Sequence, residues 1–181
     1  MHLSRLLRDT RGLSAVEFAL VAPLMVLLYM GLAELTLAMM AERRASHSAS
    51  AVADLVAQSP ASMSSADLDK VLYIGKAVVA PFPTAGLSLR ISSVKADAAL
   101  SPKVVWSKTS GPDLTRYSQG STAPSFPSGL LAANETVISA DVLYKYDTPL
   151  KQIIPRTLNF KTTFYLRPRR ADAIACPDCP A

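Results

Sequence analysis

Arg11-Gly-Leu-Ser-Ala-Val-Glu-Phe-Ala-Leu-Val-Ala-Pro-Leu-Met-Val-Leu-Leu-Tyr-Met-Gly-Leu-Ala-Glu-Leu-Thr-Leu-Ala-Met-Met40 decides how this chain is organised. After Arg11 its only charged groups are Glu17 and Glu34. The uncharged run from Phe18 to Ala33 falls slightly short of the roughly 20 apolar residues a spanning helix needs. Continuing through Leu35 to Ala41 supplies the missing length, so the stretch reads as a membrane helix over residues 13–41. Glu17 is the odd feature. A carboxylate at the centre of such a helix costs about 2.5–3.5 kcal/mol on insertion scales, and less near the interface.

Outward from this helix, the chain of 181 residues has room for one further globular domain. Half of its residues are hydrophobic, but the helix takes a large share of them. What remains is enough for one core. Arg5, Arg8 and Arg11 precede the helix and place residues 1–12 in the cytoplasm under the positive-inside rule. Glu42, Arg43 and Arg44 at its other end reduce that asymmetry. The net charge of +5 is spread out, with Arg167, Arg169 and Arg170 near the other end of the sequence. No basic, aromatic-interleaved stretch marks a nucleic-acid surface.

The helix is predicted to continue past the membrane to about residue 58, where Ser59-Pro60 stops it. Ala45, Ala49, Val52, Leu55 and Val56 recur at helical spacing and form a thin apolar stripe, while Glu42, Arg43, Arg44, Ser48 and Asp54 lie mostly elsewhere on the wheel. Pro23 lacks an amide hydrogen, so the Ala19 carbonyl loses its partner and a kink or local melting is expected. A second helix is predicted from about Ala66 to Ala80. It starts at the capping-box pair Ser64 and Asp67, buries Leu68, Val71, Leu72, Ile74, Val78 and Val79, and ends at Pro81-Phe82-Pro83.

From Gly86 the period changes to two. Leu87, Leu89 and Ile91 alternate with polar residues, and Lys103–Lys108 is a short run around Val104, Val105 and Trp106. Residues 109–135 read as loop. Thr136–Tyr146 places Ile138, Ala140, Val142, Tyr144 and Tyr146 on one face, and Thr157–Arg167 does the same with Leu158, Phe160, Thr162, Phe164 and Leu166. One apolar and one polar face imply an antiparallel sheet covered on a single side, by the two helices. The expected fold class is α+β. It consists of a leader at 1–12, a long helix at 13–58, an exported head at 61–175 and a cysteine-containing tail at 176–181.

Residues suited to catalysis are few. His2 and His47 stand apart from cysteine and carboxylates, so no metal site is expected, and no phosphate loop or nucleophile elbow occurs. Asn134-Glu-Thr136 matches a glycosylation acceptor, a pattern short enough to arise by chance. No catalytic residues and no cofactor are expected. Cys176 and Cys179 lie in Cys-Pro-Asp-Cys and leave three readings open: a local disulfide or two idle thiols in a frayed tail, a link to another subunit, or a redox site. A thioredoxin-type site fits poorly, since that motif starts a helix inside a strand–helix unit.

The informative constellation is Gly12-Leu13-Ser-Ala-Val-Glu17-Phe18 followed by aliphatics. It resembles the processing site of type IV prepilin-like proteins, in which a prepilin peptidase cuts after the glycine. Glycine has no Cβ, so the backbone on the leader side can enter a protease cleft closely. Cleavage there frees an α-amine at Leu13, about one helical turn from Glu17. The wider stretch Arg11–Pro23 resembles the N-terminal signature of TadE-like proteins of tight-adherence (Tad, or Flp) pilus systems. Segments 130–137, 139–146 and 164–170 are more loosely similar to the heads of such proteins. The resemblance implies a minor pseudopilin or assembly component in the bacterial inner membrane, with a cytoplasmic N-terminus and a periplasmic head. Its implied partners are the membrane, the prepilin peptidase, other pilins and the assembly platform. Gly12, Leu13, Glu17 and Phe18 would form the processing motif. Glu17, Pro23 and Glu34 would serve helix packing and register. Two competing readings are an unprocessed, membrane-tethered binding or adhesion domain and an envelope redox enzyme using the two cysteines.

Overall fold

The computed structural model describes residues 12–124, 126–127, 129–149 and 156–179. Residues 1–11, with His2, Arg5, Arg8 and Arg11, lie outside that set. Helix α1 runs over Leu13–Ala57 and α2 over Ser65–Val78. They are followed by strands β1 (Leu87–Ala96), β2 (Pro102–Ser110), β3 (Thr136–Tyr146) and β4 (Leu158–Leu166). The strands form one antiparallel sheet in the order β2-β1-β3-β4. The α+β class and the long leading helix are as the sequence predicts.

At 45 residues α1 is about 67 Å long, so it cannot be contained within a head of this size. Its upper half packs on β3, β4 and α2 through Ala38, Ala41, Ala45, Ala49, Val52, Ala53 and Val56, all buried. Small side chains let the helix axis approach the sheet closely, and the larger Ile138, Val142 and Tyr144 fill the space from below. Leu55, expected in the stripe, is exposed, and Ser48, expected on the polar side, is buried. The Ser48 hydroxyl donates to the Gly75 carbonyl at 2.5 Å, where α2 crosses α1. Gly75 is there for space, because a Cβ would press on Leu89 Cδ1 at 2.9 Å as well as on Val52.

Helix α2 starts at the predicted cap, with the Asp67 amide donating to the Ser64 hydroxyl at 3.1 Å. Hydrogen bonds from Lys70 and Ser64, helped by the Lys70 charge, hold the exposed Asp67 carboxyl below its ordinary value. The helix ends two residues sooner than predicted, at Val78. Ile74, expected in the buried face, is exposed.

The predicted single-sided sheet is incorrect. The helices cover one face, and the segment from Gly111 to Leu131 folds over the other. Gly111 turns into it at φ +107°, a conformation that favours glycine. Val94, Ala96, Val104 and Val137 meet Ala123 and Leu131 there, with Phe126 edge-on to Tyr165 at 5.1 Å between centroids. The outer-face residues that read as solvated are instead buried in pairs. Arg90 Nε donates to Asp141 Oδ2 at 2.8 Å, Nη1 donates to the Thr115 carbonyl at 2.8 Å, and Nη2 reaches the Tyr117 hydroxyl. Thr163 donates to the second Asp141 oxygen at 2.5 Å. Ser92 and Ser107 pair at 2.9 Å. Periodicity reports polarity, and polarity equals exposure only when the polar groups lack partners. Strands β1 and β2 are also longer than predicted. A bulge offsets them, since Ser93 faces Trp106 while Val94 faces Val104, leaving Val105 as the extra residue.

The tail is likewise not frayed. The Met63 amide donates to the Ala175 carbonyl at 2.9 Å, and the Ala175 amide to that of Ala61 at 2.8 Å. Ile174 is fully buried, and the Trp106 indole donates to its carbonyl at 2.6 Å. The other end of α1 is tied to the segment after β4. The Arg169 amide donates to the Ala57 carbonyl at 2.8 Å, and its guanidinium pairs with Asp54 at 2.8 Å. A cation at that position also complements the helix C-terminus.

Two outcomes follow. Replacing Arg90 with Met leaves the Asp141 carboxylate buried without its cation and is expected to destabilise the head by about 3–5 kcal/mol in denaturant unfolding. The double variant Arg90→Met/Asp141→Leu should recover much of that loss. The second concerns alkali. Burial raises the phenols of Tyr117, Tyr144 and Tyr165 above their ordinary value, and the Tyr144 hydroxyl donates to the Pro83 carbonyl at 2.8 Å. A raised folded value means that stability from these groups is complete below the unfolded phenol value of about 10 and declines as pH rises through the folded one. Stability should therefore be level from neutral pH to about 9 with respect to these groups and fall above about 10. Phenolate absorbance measured against pH, together with circular dichroism, checks this.

Candidate functional site: the exposed half of the long helix

The residues singled out in the sequence lie along α1 and at the end of the described chain. Gly12 is the N-cap of α1, exposed and without a side-chain cap bond, and the Val16 amide donates to its carbonyl at 3.1 Å. Among the described residues, nothing lies within 4 Å of where a Cβ on Gly12 would be. Leu13 opens the helix. Glu17 is exposed, and Phe18 beside it is 73% exposed. Among the described residues, Glu17 has no hydrogen bond or ion pair. Among the described residues, the side chains of Glu17 and Phe18 are therefore uncovered.

Pro23 lies inside α1, which continues past it unbroken. The expected local melting is absent, because one lost bond at the Ala19 carbonyl leaves the neighbouring bonds of the ladder intact. From Phe18 to Leu32 the large apolar side chains are exposed except Met30, which is partly covered: Leu20, Val21, Leu24, Met25, Val26, Leu27, Leu28 and Tyr29 contact no core. The most apolar 18-residue window has a mean hydropathy of 2.0, and none of it is buried within the chain. Residues 13–33 rise roughly 30 Å at about 1.5 Å per residue, matching the hydrocarbon thickness of a bilayer. A helix this apolar on all sides and packed against nothing is suited to lipid or to other helices.

Glu34 is where the change occurs. Unlike Glu17 it is fully buried, at the first residue of α1 that the head encloses. Its charge lies close enough to Tyr146, at the end of β3, to help raise that phenol, though burial is the larger cause. The sequence grouped Glu34 with Glu17 for packing between helices, whereas the fold places Glu34 inside its own head.

Cys176 and Cys179 form a disulfide with a Cα separation of 5.4 Å, packed on the main core. This is the local bond among the three readings. The loop it closes holds Asp178 over the start of α2, where its carboxylate accepts from the Ser65 amide at 2.9 and 3.0 Å. Its contacts are those of a clamp between the chain's tail and α2.

Among the described residues, no group of three histidines, cysteines or carboxylates could hold a metal. His47 stands exposed on α1. A cleft of about 130 Å³ is lined by Arg90, Tyr117, Phe126, Asp141, Lys161 and Tyr165. Its two buried charges are committed to each other. Sequence reasoning missed this network, although Arg90 and Asp141 stand out as opposite charges within two predicted strands.

Strand β4 is the open edge of the sheet. Strand β2 is shielded at its outer side, where the Val104 amide donates to the Ser121 carbonyl at 2.9 Å and the Ala123 amide to that of Pro102 at 2.9 Å. No such bond reaches the outer side of β4 among the described residues.

No curated protein and no solved structure matches this chain. A family model does match, over residues 12–54. Those residues begin at the N-cap glycine and take in the bare half of α1 together with most of the half that carries the head. Over this segment, about a quarter of the chain, the sequence is similar to the family described as TadE-like protein.

Proposed function

We propose that this chain is a minor pseudopilin of a Tad pilus, held in the bacterial inner membrane by residues 13–33 and processed by a prepilin peptidase after Gly12. The reading also takes the N-terminus as cytoplasmic and the head as periplasmic. The observation that carries it is the bare apolar half of α1, of hydrocarbon length, with Gly12 exposed at its end and within the family-matched segment. Gly12 gives a protease unobstructed access to the backbone. Cleavage would leave the Leu13 ammonium one turn from Glu17. A carboxylate in lipid is tolerated when it meets a cation, so Glu17 would favour the helix register that brings a neighbouring chain's N-terminus to it. The head would then act as a folded cap too large to cross the membrane, oriented by the unbroken helix beneath it.

The N-terminal residue of the full chain, purified from membranes with and without active prepilin peptidase, tests the processing step. A peptidase-dependent start at Leu13 is expected. An unprocessed N-terminus in both samples would overturn it and leave the tethered binding domain as the reading. Glu17→Leu separates the roles of that carboxylate. Removing it should make membrane insertion more favourable, by no more than about 2.5–3.5 kcal/mol, yet cut co-purification with other pilins. Unchanged co-purification would remove Glu17 from subunit register.

A further inference from the structure

The apolar surface of α1 does not end at one level around the helix. On the side facing the sheet, the head encloses the helix from Glu34 upward. On the other side Leu35, Met39 and Met40 remain 46–50% exposed. Met40 lies six helical steps above Glu34, a rise of about 9 Å. The apolar boundary is therefore oblique, higher on the face turned from the head. A helix with an oblique boundary lies in a bilayer with a tilt, its longer apolar side leaning toward the lipid.

The next residues on that outward face are basic. At 100° per residue, Met40, Arg43, Arg44 and His47 cluster opposite the buried Ala38, Ala41, Ala45 and Ala49. Together they line a shallow depression. Arg43, Arg44 and His47 have no side-chain hydrogen bond or ion pair among the described residues, in contrast to Arg90, Arg167 and Arg169. The nearby acids point elsewhere: Glu42 lies on the flank of α1, and Asp54 is bound to Arg169. The exposed apolar surface runs from Phe18 up to Met40, a rise of about 33 Å that matches the hydrocarbon core, and Arg43 and Arg44 follow within about one turn. The unpartnered cations thus lie at phosphate depth.

We propose that Met40, Arg43, Arg44 and His47 form a contact for anionic phospholipid headgroups in the head-side leaflet. Met40 extends the surface that continues from the spanning segment, and the arginines take phosphate oxygens through their forked donors. The contact would hold the tilt of α1 and so the orientation of the head above the membrane. It rests on α1 crossing the bilayer.

The full chain, purified in micelles containing equal amounts of phosphatidylglycerol and phosphatidylcholine, tests this by native mass spectrometry of bound lipid. The wild type should retain phosphatidylglycerol preferentially. Arg43→Gln and Arg44→Gln should each lower that preference roughly fivefold, the equivalent of about 1 kcal/mol per surface arginine. Arg43→Lys/Arg44→Lys should keep most of it. Equal retention of the two lipids by the wild type, or a preference unchanged in the Gln variants, overturns the proposal. Competition by inorganic phosphate at the same free concentration would assign the face to a soluble anion and overturn it as well. Loss of self-association in the Gln variants without any lipid preference would assign it to a second copy. A chain that carbonate washes from membranes fails the spanning reading itself. A chain that stays in the membrane without lipid preference fails only the headgroup contact.

Discussion

The close seating of the alanine stripe of α1 on β3 and β4 is the interaction on which the rest depends. Ala38, Ala41, Ala45 and Ala49 bring the helix close enough for Tyr144, Ile138 and Val142 to fill the remaining gap. That seating makes half of a 45-residue helix into the principal support of the head and leaves the other half without any partner in the same chain. One rigid rod thereby serves two environments. Below Glu34 it must be apolar all round, because lipid offers no hydrogen bonds, and above Glu34 it must be small on one side and polar on the other. Glu34 itself, buried at the first turn of the seated half, belongs to the head's side of that division.

The head is closed by ties that bring distant parts of the chain together. Arg169 binds the C-terminal end of α1, the Ala175 strand segment pairs beside Ser62, and Asp178 holds the start of α2 through the disulfide loop. Both helices are therefore held at their head-side ends by residues that follow β4. Force applied along α1 reaches the sheet through packing and the tail through hydrogen bonds. The buried Arg90–Asp141 pair secures the opposite face, where a covering loop with few apolar residues would otherwise have little to fix its position.

The open edge at β4 adds a geometric restriction on assembly. The strand reads nearly the same in both directions about Thr162, with Leu158 matching Leu166 and Phe160 matching Phe164. Taken alone, such a strand is suited to antiparallel pairing with its own copy. The position of α1 forbids this for two chains in one membrane. Ser46 meets Thr162 at 3.2 Å and Ala57 meets Arg169, so α1 runs along β4 in the same direction. A two-fold pairing of β4 would set the two α1 helices antiparallel, and two helices of the same topology cannot cross a bilayer that way. A strand pairing there antiparallel must come from a head whose own strand runs toward the membrane.

The two helices, three of the four strands, the class and the exposed apolar segment were legible in the sequence because each has its own period: unbroken apolarity in residues 18–33, spacings of three and four in 41–57 and 65–79, and alternation in 87–92, 136–146 and 158–166, while β2 read only as a short run around Trp106. The glycine-to-glutamate spacing at the helix start was legible too, since it lies within one continuous segment. What the tertiary structure decided is where polar residues go. Arg90 and Asp141 look solvated when each strand is read alone and become a buried pair only when β1 and β3 are in register, with Arg90 opposite Asp141. Ser48 and Gly75, or Asp178 and Ser65, meet only after α2 has docked on α1. Local periodicity records what each segment can bury by itself. Partners from distant segments determine which polar groups can be buried as well, and that depends on the whole chain being folded.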